Sequence, residues 1–199
     1  MIDLYLDILD SERKEILPIL SEFKGDFYLA GGTGLALQIG HRDSIDFDFF
    51  CKQSFSTEEL TRQLRNIFSN HAVSVIQEEK DTLSVLIEDR IKLSFFSYPY
   101  DLVKPLLDSE FFRLASLEDI GCMKLSAITS RSLLKDYVDL YFILKAIPLK
   151  HLLDLSTIKF PKINTALILK SLTYFGDITQ EPILYKHKHA VSLDRKSVV

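Results

Sequence analysis

The stretch Gly31–Phe50 reads GGTGLALQIGHRDSIDFDFF, and it decides the fold of this 199-residue chain. A short apolar run leads directly into Gly31 and Gly32, where the absence of a Cβ permits positive φ and close approach of the backbone. The following residues predict a short helix that begins near Thr33 and ends at Gly40 in a left-handed turn. Because helix N-terminal amides and the helix dipole favour an anion, this junction is expected to cradle a phosphate.

The second half of the stretch predicts a strand that carries two acidic side chains on one face. Strict alternation from Ile45 to Phe49 places Asp46 and Asp48 together and the apolar residues opposite them. Neighbouring carboxylates repel each other, and a bound divalent cation is the usual interaction that offsets this repulsion. Mg²⁺ is typically held by one or two carboxylates plus substrate phosphates, so Asp46 and Asp48 are the predicted metal ligands.

Each part of this stretch also has an ordinary structural interpretation. A Gly-Gly pair is usually only a turn, and an Asp-x-Asp on a strand is often only the solvated face of an edge strand. The ordered combination of strand, glycine pair, helix, basic residue and acidic strand favours a nucleotide-handling site over these interpretations.

The ordered pattern resembles the nucleotidyltransferase superfamily that includes DNA polymerase beta, and within it the AbiEii/AbiGii toxin family. The resemblance implies an α/β (α+β) fold, with a small mixed sheet and a C-terminal helical region. It also implies transfer of a nucleotide from an NTP with Mg²⁺ at Asp46 and Asp48. The residues that carry the match, and that would bind the nucleotide, are Gly31, Gly32, Thr33, His41, Arg42 and Ser44.

A second block matches the same family further along the chain, at Lys124, Arg131, Lys135, Asp136 and Asp139. Taken alone, this block predicts an amphipathic helix pair with a surface ladder of lysine and aspartate. The resemblance instead implies that these residues line the nucleotide site and that Lys124 neutralises the triphosphate. Either aspartate would orient that lysine or act as the base for the acceptor, and the sequence does not choose between them.

One position departs from the superfamily pattern. A third carboxylate often stands in a hydrophobic-acid-hydrophobic triplet on a later strand, and the nearest such run here places Ser94 at that position. This departure weakens the case for a full three-carboxylate, two-metal mechanism. Glu88 and Asp89, in a predicted hairpin turn, are the nearest substitutes, although both are ordinary turn residues.

Composition indicates a chain that can bury its own core, with 47% hydrophobic residues and two cysteines. The cysteines are too few and too isolated for a disulfide framework or a zinc site, so both are expected as buried thiols. No apolar stretch is long enough for a membrane span, and a cytoplasmic location is expected. The first 89 residues are net acidic and the remainder net basic, which would suit a polyanionic acceptor.

We expect three regions along the chain. Residues 1–113 form the nucleotidyltransferase core, and residues 114–193 form a helical region that completes the site. Residues 194–199 are expected to be a non-native tail, because one reading frame of a common sequencing adapter encodes the same hexapeptide.

The resemblance implies a nucleotidyltransferase toxin of an AbiE-type toxin-antitoxin system, associated with phage abortive infection. It further implies a tRNA acceptor and a cognate antitoxin. Two alternatives remain open at this point: a nucleotidyltransferase that modifies a protein or a small molecule, and a catalytically degenerate member that binds only nucleotide or a partner.

Overall fold

The computed structural model describes residues 1–179 and 181–186, so the expected tail at 194–199 lies outside the described residues. The strands are β1 Tyr28–Ala30, β2 Phe47–Cys51, β3 Val73–Glu79, β4 Thr82–Ile87, β5 Ile91–Ser97, β6 Leu107–Asp108 and β7 Arg113–Leu114. The α-helices are α1 Ser11–Glu15, α2 Leu17–Leu20, α3 Gly31–Ile39, α4 Thr57–Ile67, α5 Leu117–Ala127, α6 Leu134–Leu144, α7 Leu149–Lys159 and α8 Thr165–Thr173. In these residues no helix combines the length and apolar character that a membrane span requires.

The strands form one mixed sheet in the order β3-β4-β5-β2-β1-β7-β6. The acidic strand β2 runs antiparallel to β1 on one side and parallel to β5 on the other. Asp48 is therefore the Cα partner of Ala30 on β1 and of Ser94 on β5. This architecture confirms the fold class expected from the sequence.

The alternation of side chains along the central strands separates an apolar face of the sheet from a polar one. On β2 and β5, Phe47, Phe49, Leu93 and Phe95 are buried in one core cluster with residues of α2 and α4. The residues between them in sequence point to the opposite face. The acidic and hydroxyl side chains therefore share the face that the N-terminal helices leave uncovered.

The C-terminal helices build a second core cluster that includes Ala30 and Leu35 from the β1–α3 junction. Helix α5 begins directly after its N-cap residue Ser116, whose hydroxyl accepts from the backbone N–H of Asp119 at 3.0 Å. The buried Asp119 carboxylate also pairs with Lys159 of α7 at 2.8 Å. This ion pair fixes α7 against α5.

A buried arginine near the N-terminus positions the segments that lead into both central strands. Arg13 Nε donates to the carbonyl of Ile45 at 2.7 Å, and its Nη2 donates to the carbonyl of Arg90 at 3.1 Å. The guanidinium also forms an ion pair with Asp10, the N-cap residue of α1. Because Ile45 precedes β2 and Arg90 precedes β5, one side chain links the segments that enter the two parallel strands.

Replacing Arg13 with methionine is expected to lower the free energy of unfolding by about 2–3 kcal/mol, because two backbone carbonyls lose their donors in a buried setting. Urea unfolding followed by circular dichroism measures the change. The matched control is Arg62→Met on the exposed face of α4, which should stay within about 0.5 kcal/mol of the parent. Equal losses in the two variants would contradict the positioning role of Arg13.

Candidate active site

The polar face of the sheet and the helices α5 and α6 enclose a cleft of about 760 Å³, which is the size range of small-molecule sites. Most of the site residues expected from the sequence line this cleft: Gly31, Gly32, Thr33, Arg42, Ser44, Asp46, Asp48, Lys124, Arg131 and Lys135. His41, Asp136 and Asp139 are completely buried and lie behind the lining side chains.

The β1–α3 junction brings the backbone against one of the acidic side chains. Gly31 has φ +65°, and a Cβ at this position would lie 2.7 Å from Oδ2 of Asp48. Helix α3 begins at Gly31 without a side-chain cap and ends at Gly40, which has φ +63°. The N-terminal residues of α3 therefore line the cleft beside Asp48, and the unpaired amides of a helix N-terminus suit an anion.

Gly32 and Thr33 shape the site in a way that the sequence did not indicate. A Cβ on Gly32 would overlap Nη2 of Arg42, so this glycine makes room for the guanidinium. Thr33 is buried, and its hydroxyl donates to the carbonyl of Asp46 and lies 2.7 Å from Oγ of Ser44. Thr33 thus holds the loop that positions Asp46 at the cleft, and Gly32 leaves space for Arg42.

The charge of Asp46, which directly precedes β2, disfavours ionisation of Asp48. Burial, and next the negative charge of Asp46, raise the pKa of Asp48 to about 6, although nearby basic side chains oppose the rise. Among the described residues, no group of three or more His, Cys, Asp or Glu side chains is arranged to hold a metal ion. Two carboxylates fit Mg²⁺ when substrate phosphates complete its oxygen ligands. A metal here would therefore depend on the bound nucleotide.

Asp139 is the centre of a buried ionic network behind the cleft. Its Oδ1 accepts from Nε2 of His41 and Nε of Arg42, each at 2.8 Å. Its Oδ2 accepts from Nη2 of Arg42 at 3.0 Å and pairs with Nζ of Lys124 at 2.6 Å. Burial opposes ionisation, but the charge of Lys124 and the donors on His41 and Arg42 hold the pKa of Asp139 far below its usual range. These partners therefore favour the ionised carboxylate.

Asp136 extends the same network toward the cleft. Its Oδ1 pairs with Lys124 at 2.7 Å, and its Oδ2 accepts from Nε of Arg131 at 2.8 Å. Burial alone would raise the pKa of Asp136, but these two cations hold it below its usual range. All four oxygens of Asp136 and Asp139 are thus engaged by cations. Of the two roles left open by the sequence, this geometry favours orienting Lys124 over acting as a base.

Ser94 lies directly beside Asp48, at the position where the superfamily pattern often has an acid. Its hydroxyl accepts from Ser84 Oγ on the neighbouring strand at 3.1 Å, and both serines are buried. The two acidic turn residues do not reach the cleft. Glu88 accepts instead from the backbone N–H of Ala72, and Asp89 from the hydroxyl of Ser74.

Sequence reasoning missed two contributions to the cleft. Lys92 lines it from β5, and its position two residues before Ser94 on the same strand face is the signal that could have found it. The segment 181–184 also lines the cleft and is held by the ion pair of Glu181 with Lys135, at 2.9 Å. A long-range contact of this kind leaves no periodic signal in the sequence.

The comparison with solved structures defines the class of protein. A crystal structure from Helicobacter pylori, assigned as a nucleotidyltransferase, matches with a TM-score of 0.52 and 19% identity, and the match covers 82% of this chain and 92% of that one. MenT4, a nucleotidyltransferase toxin from Mycobacterium tuberculosis, matches with a TM-score of 0.50 and 16% identity, over 73% of this chain and 61% of that one. The chain therefore has the nucleotidyltransferase fold.

The sequence comparisons define the family. An uncharacterised protein of Aquifex aeolicus is 40% identical over 162 residues, which cover 78% of this chain and 77% of that protein. The sequence profile of the nucleotidyl transferase AbiEii toxin, of type IV toxin-antitoxin systems, matches residues 16–195. The chain belongs to the AbiEii nucleotidyltransferase toxin family, which confirms the family resemblance seen in its motifs.

Replacing Gly31 with alanine is expected to lower the free energy of unfolding by about 1–2 kcal/mol, because a Cβ is strained at positive φ and would also displace the Asp48 carboxylate. Chemical unfolding measures the loss. Gly25→Ala is the matched control, since its φ is −68° and its Cβ would meet no atom within 4 Å. A Gly31→Ala protein as stable as Gly25→Ala would show that the close approach to Asp48 is not required.

Proposed function

We propose that this chain is a Mg²⁺-dependent toxin that transfers a nucleotidyl group from an NTP to an RNA acceptor, and that the acceptor is tRNA. One observation carries the proposal: the carboxylates of Asp46 and Asp48 lie at the N-terminus of α3, in a cleft whose helical wall presents Lys124 and Arg131. Transfer of a charged phosphoryl group needs two kinds of element. Carboxylates bind the divalent cation, and backbone amides and basic side chains bind the phosphates.

Each element of the cleft has a defined task in this proposal. The amides at Gly31 and Gly32 hold the phosphates of the NTP, and Lys124 with Arg131 offsets the negative charge that develops on pyrophosphate. Arg42 keeps Asp139 ionised and in place, so its effect on the substrate is indirect. Mg²⁺ bound at the acidic pair would polarise the phosphate oxygens. Most of the catalysis is then positioning and electrostatic stabilisation.

The reaction joins the acceptor to the α-phosphorus of the NTP. A hydroxyl oxygen of the acceptor bonds to this phosphorus while the bond to the bridging oxygen of pyrophosphate breaks. Pyrophosphate leaves with the electron pair, and the hydroxyl proton passes to solvent. The buried aspartates act as positioning residues for Lys124, because their oxygens are already engaged by cations.

The biological setting of the proposal follows from the family. A type IV toxin-antitoxin family supports a cognate antitoxin, and the proposed NTP and tRNA substrates support action in the cytoplasm. The basic character of the second half of the chain supports a polyanionic acceptor. We further propose that the protein acts in the defence of the cell against phage.

A catalytically degenerate protein is the second candidate, and Ser94 is the observation that favours it. The side chain beside Asp48 on β5 is a hydroxyl and not a carboxylate, so the site holds two acids in place of three. Such a protein would bind nucleotide in the same cleft without transferring it.

Asp48→Asn is expected to reduce transfer by about 10³-fold, because the cleft loses one of its two carboxylates for the cation. Ser94→Ala should keep activity within about threefold of the parent. The assay incubates purified protein with labelled NTPs and total cellular RNA and follows the label on gels. Asp154→Asn, on the exposed face of α7, is the charge-matched control and should behave as the parent.

Two outcomes would overturn parts of the proposal. Label found only on protein or on an added small molecule would exclude an RNA acceptor while preserving nucleotidyl transfer. Binding of NTP without transfer to any acceptor, and toxicity in cells that Asp48→Asn does not change, would favour the degenerate protein.

A further inference from the structure

The basic side chains that line the cleft differ in whether they already have an acidic partner. Five such side chains line it, and four are ion-paired: Arg42 with Asp139, Lys124 with Asp136 and Asp139, Arg131 with Asp136, and Lys135 with Glu181. The fifth is Lys92 on β5. Within residues 1–179 and 181–186, no carboxylate oxygen lies within 4.0 Å of its Nζ. Lys92 is thus available to an anion from outside the chain.

Lys92 flanks a row of polar side chains that crosses the sheet. The strand registers place Asp48, Ser94, Ser84 and Gln77 as successive Cα partners on β2, β5, β4 and β3, and all four line the cleft. Lys92 is two residues before Ser94, so its side chain leaves the same face of the sheet. Its charge also acts on Asp48, where it opposes the rise in the pKa of that carboxyl.

The polar row and the phosphate-binding elements lie on opposite sides of Asp48. Helix α3 and β1 adjoin β2 on one side, and the paired cations Lys124 and Arg131 come from the helical wall. The row runs away from these elements, through β5 and β4 to the edge strand β3. An NTP on the α3 side therefore leaves the row free for the second substrate.

We propose that this row is the acceptor subsite and that Lys92 binds a phosphate of the acceptor close to the attacking hydroxyl; the inference rests on the proposed function. A lysine ammonium is a compact cation with three donors and suits a single phosphate as a point charge. The exposed amide of Gln77 suits a sugar hydroxyl, whereas the buried hydroxyls of Ser84 and Ser94 are bonded to each other and only shape the floor of the row. An uncharged or cationic small molecule would leave Lys92 without a counter-charge. The subsite thus favours an acceptor that carries phosphate, as a nucleic acid chain does.

Steady-state kinetics of Lys92→Gln with unfractionated tRNA and NTP as the varied substrates test the proposal. The KM for tRNA is expected to rise about five- to tenfold, because one phosphate contact is lost, while the KM for NTP stays within about twofold. Lys92→Arg keeps the charge and should restore most of the affinity for tRNA. Lys80→Gln removes an equal charge from the exposed turn between β3 and β4, outside the cleft, and should change neither KM.

Binding measurements in EDTA test the same contact without turnover. Fluorescence anisotropy with labelled tRNA, at several salt concentrations, should show that Lys92→Gln reduces the slope of log K against log salt by about one. A slope equal to that of the parent would overturn the assignment, as would equal increases in both KM values. If the parent transfers no label to RNA, the proposed function fails, and the anisotropy result still decides whether Lys92 contacts RNA phosphate.

Discussion

The ionic network around Asp139 is the interaction on which the cleft depends. Its acids come from α6, and its cations come from α5, from the segment between α5 and α6 and from the loop between α3 and β2, so it joins the helical region to the sheet. Removing several charges from water is costly and is offset only when each charge is paired and hydrogen-bonded. Both oxygens of Asp136 and of Asp139 meet this condition. The network therefore fixes Arg42, Lys124 and Arg131 in one arrangement, and these three side chains form one wall of the site.

On the opposite wall, the acidic side chains that suit a charged substrate are unfavourable for the stability of the fold. Asp48 lies beside another acid and against the backbone of Gly31, and burial raises its pKa. Folding alone would favour a neutral side chain there. The cost is tolerated because two large apolar clusters, one on each side of the sheet, stabilise the strands that carry the acids. A polar and partly repulsive site supported by a rigid apolar scaffold is typical of sites that bind charged substrates.

The motif between β1 and β2 was predictable because it is local. Glycine at positive φ, the left-handed end of α3 at Gly40 and the alternation around Asp48 each depend on residues close in sequence, and the structure has all three. The hairpin before β5 was placed correctly, although its turn spans three residues, with Glu88 and Asp89 at positive φ. The orientation of Asp136 and Asp139 was not predictable. Helical spacing places both on one face, but it does not say that this face would be buried against Arg42.

The sequence by itself determined the family, the fold class and the identity of the charged residues of the site. These depend on local motifs and on spacing along the chain, which sets which side chains share a face. Only the tertiary structure decided which of those charges meet. It buried His41, Asp136 and Asp139 behind the cleft and left Lys92 facing it without an acidic partner among the described residues. The physical reason is that ion pairing and desolvation depend on three-dimensional distance, and these contacts join residues far apart in the chain.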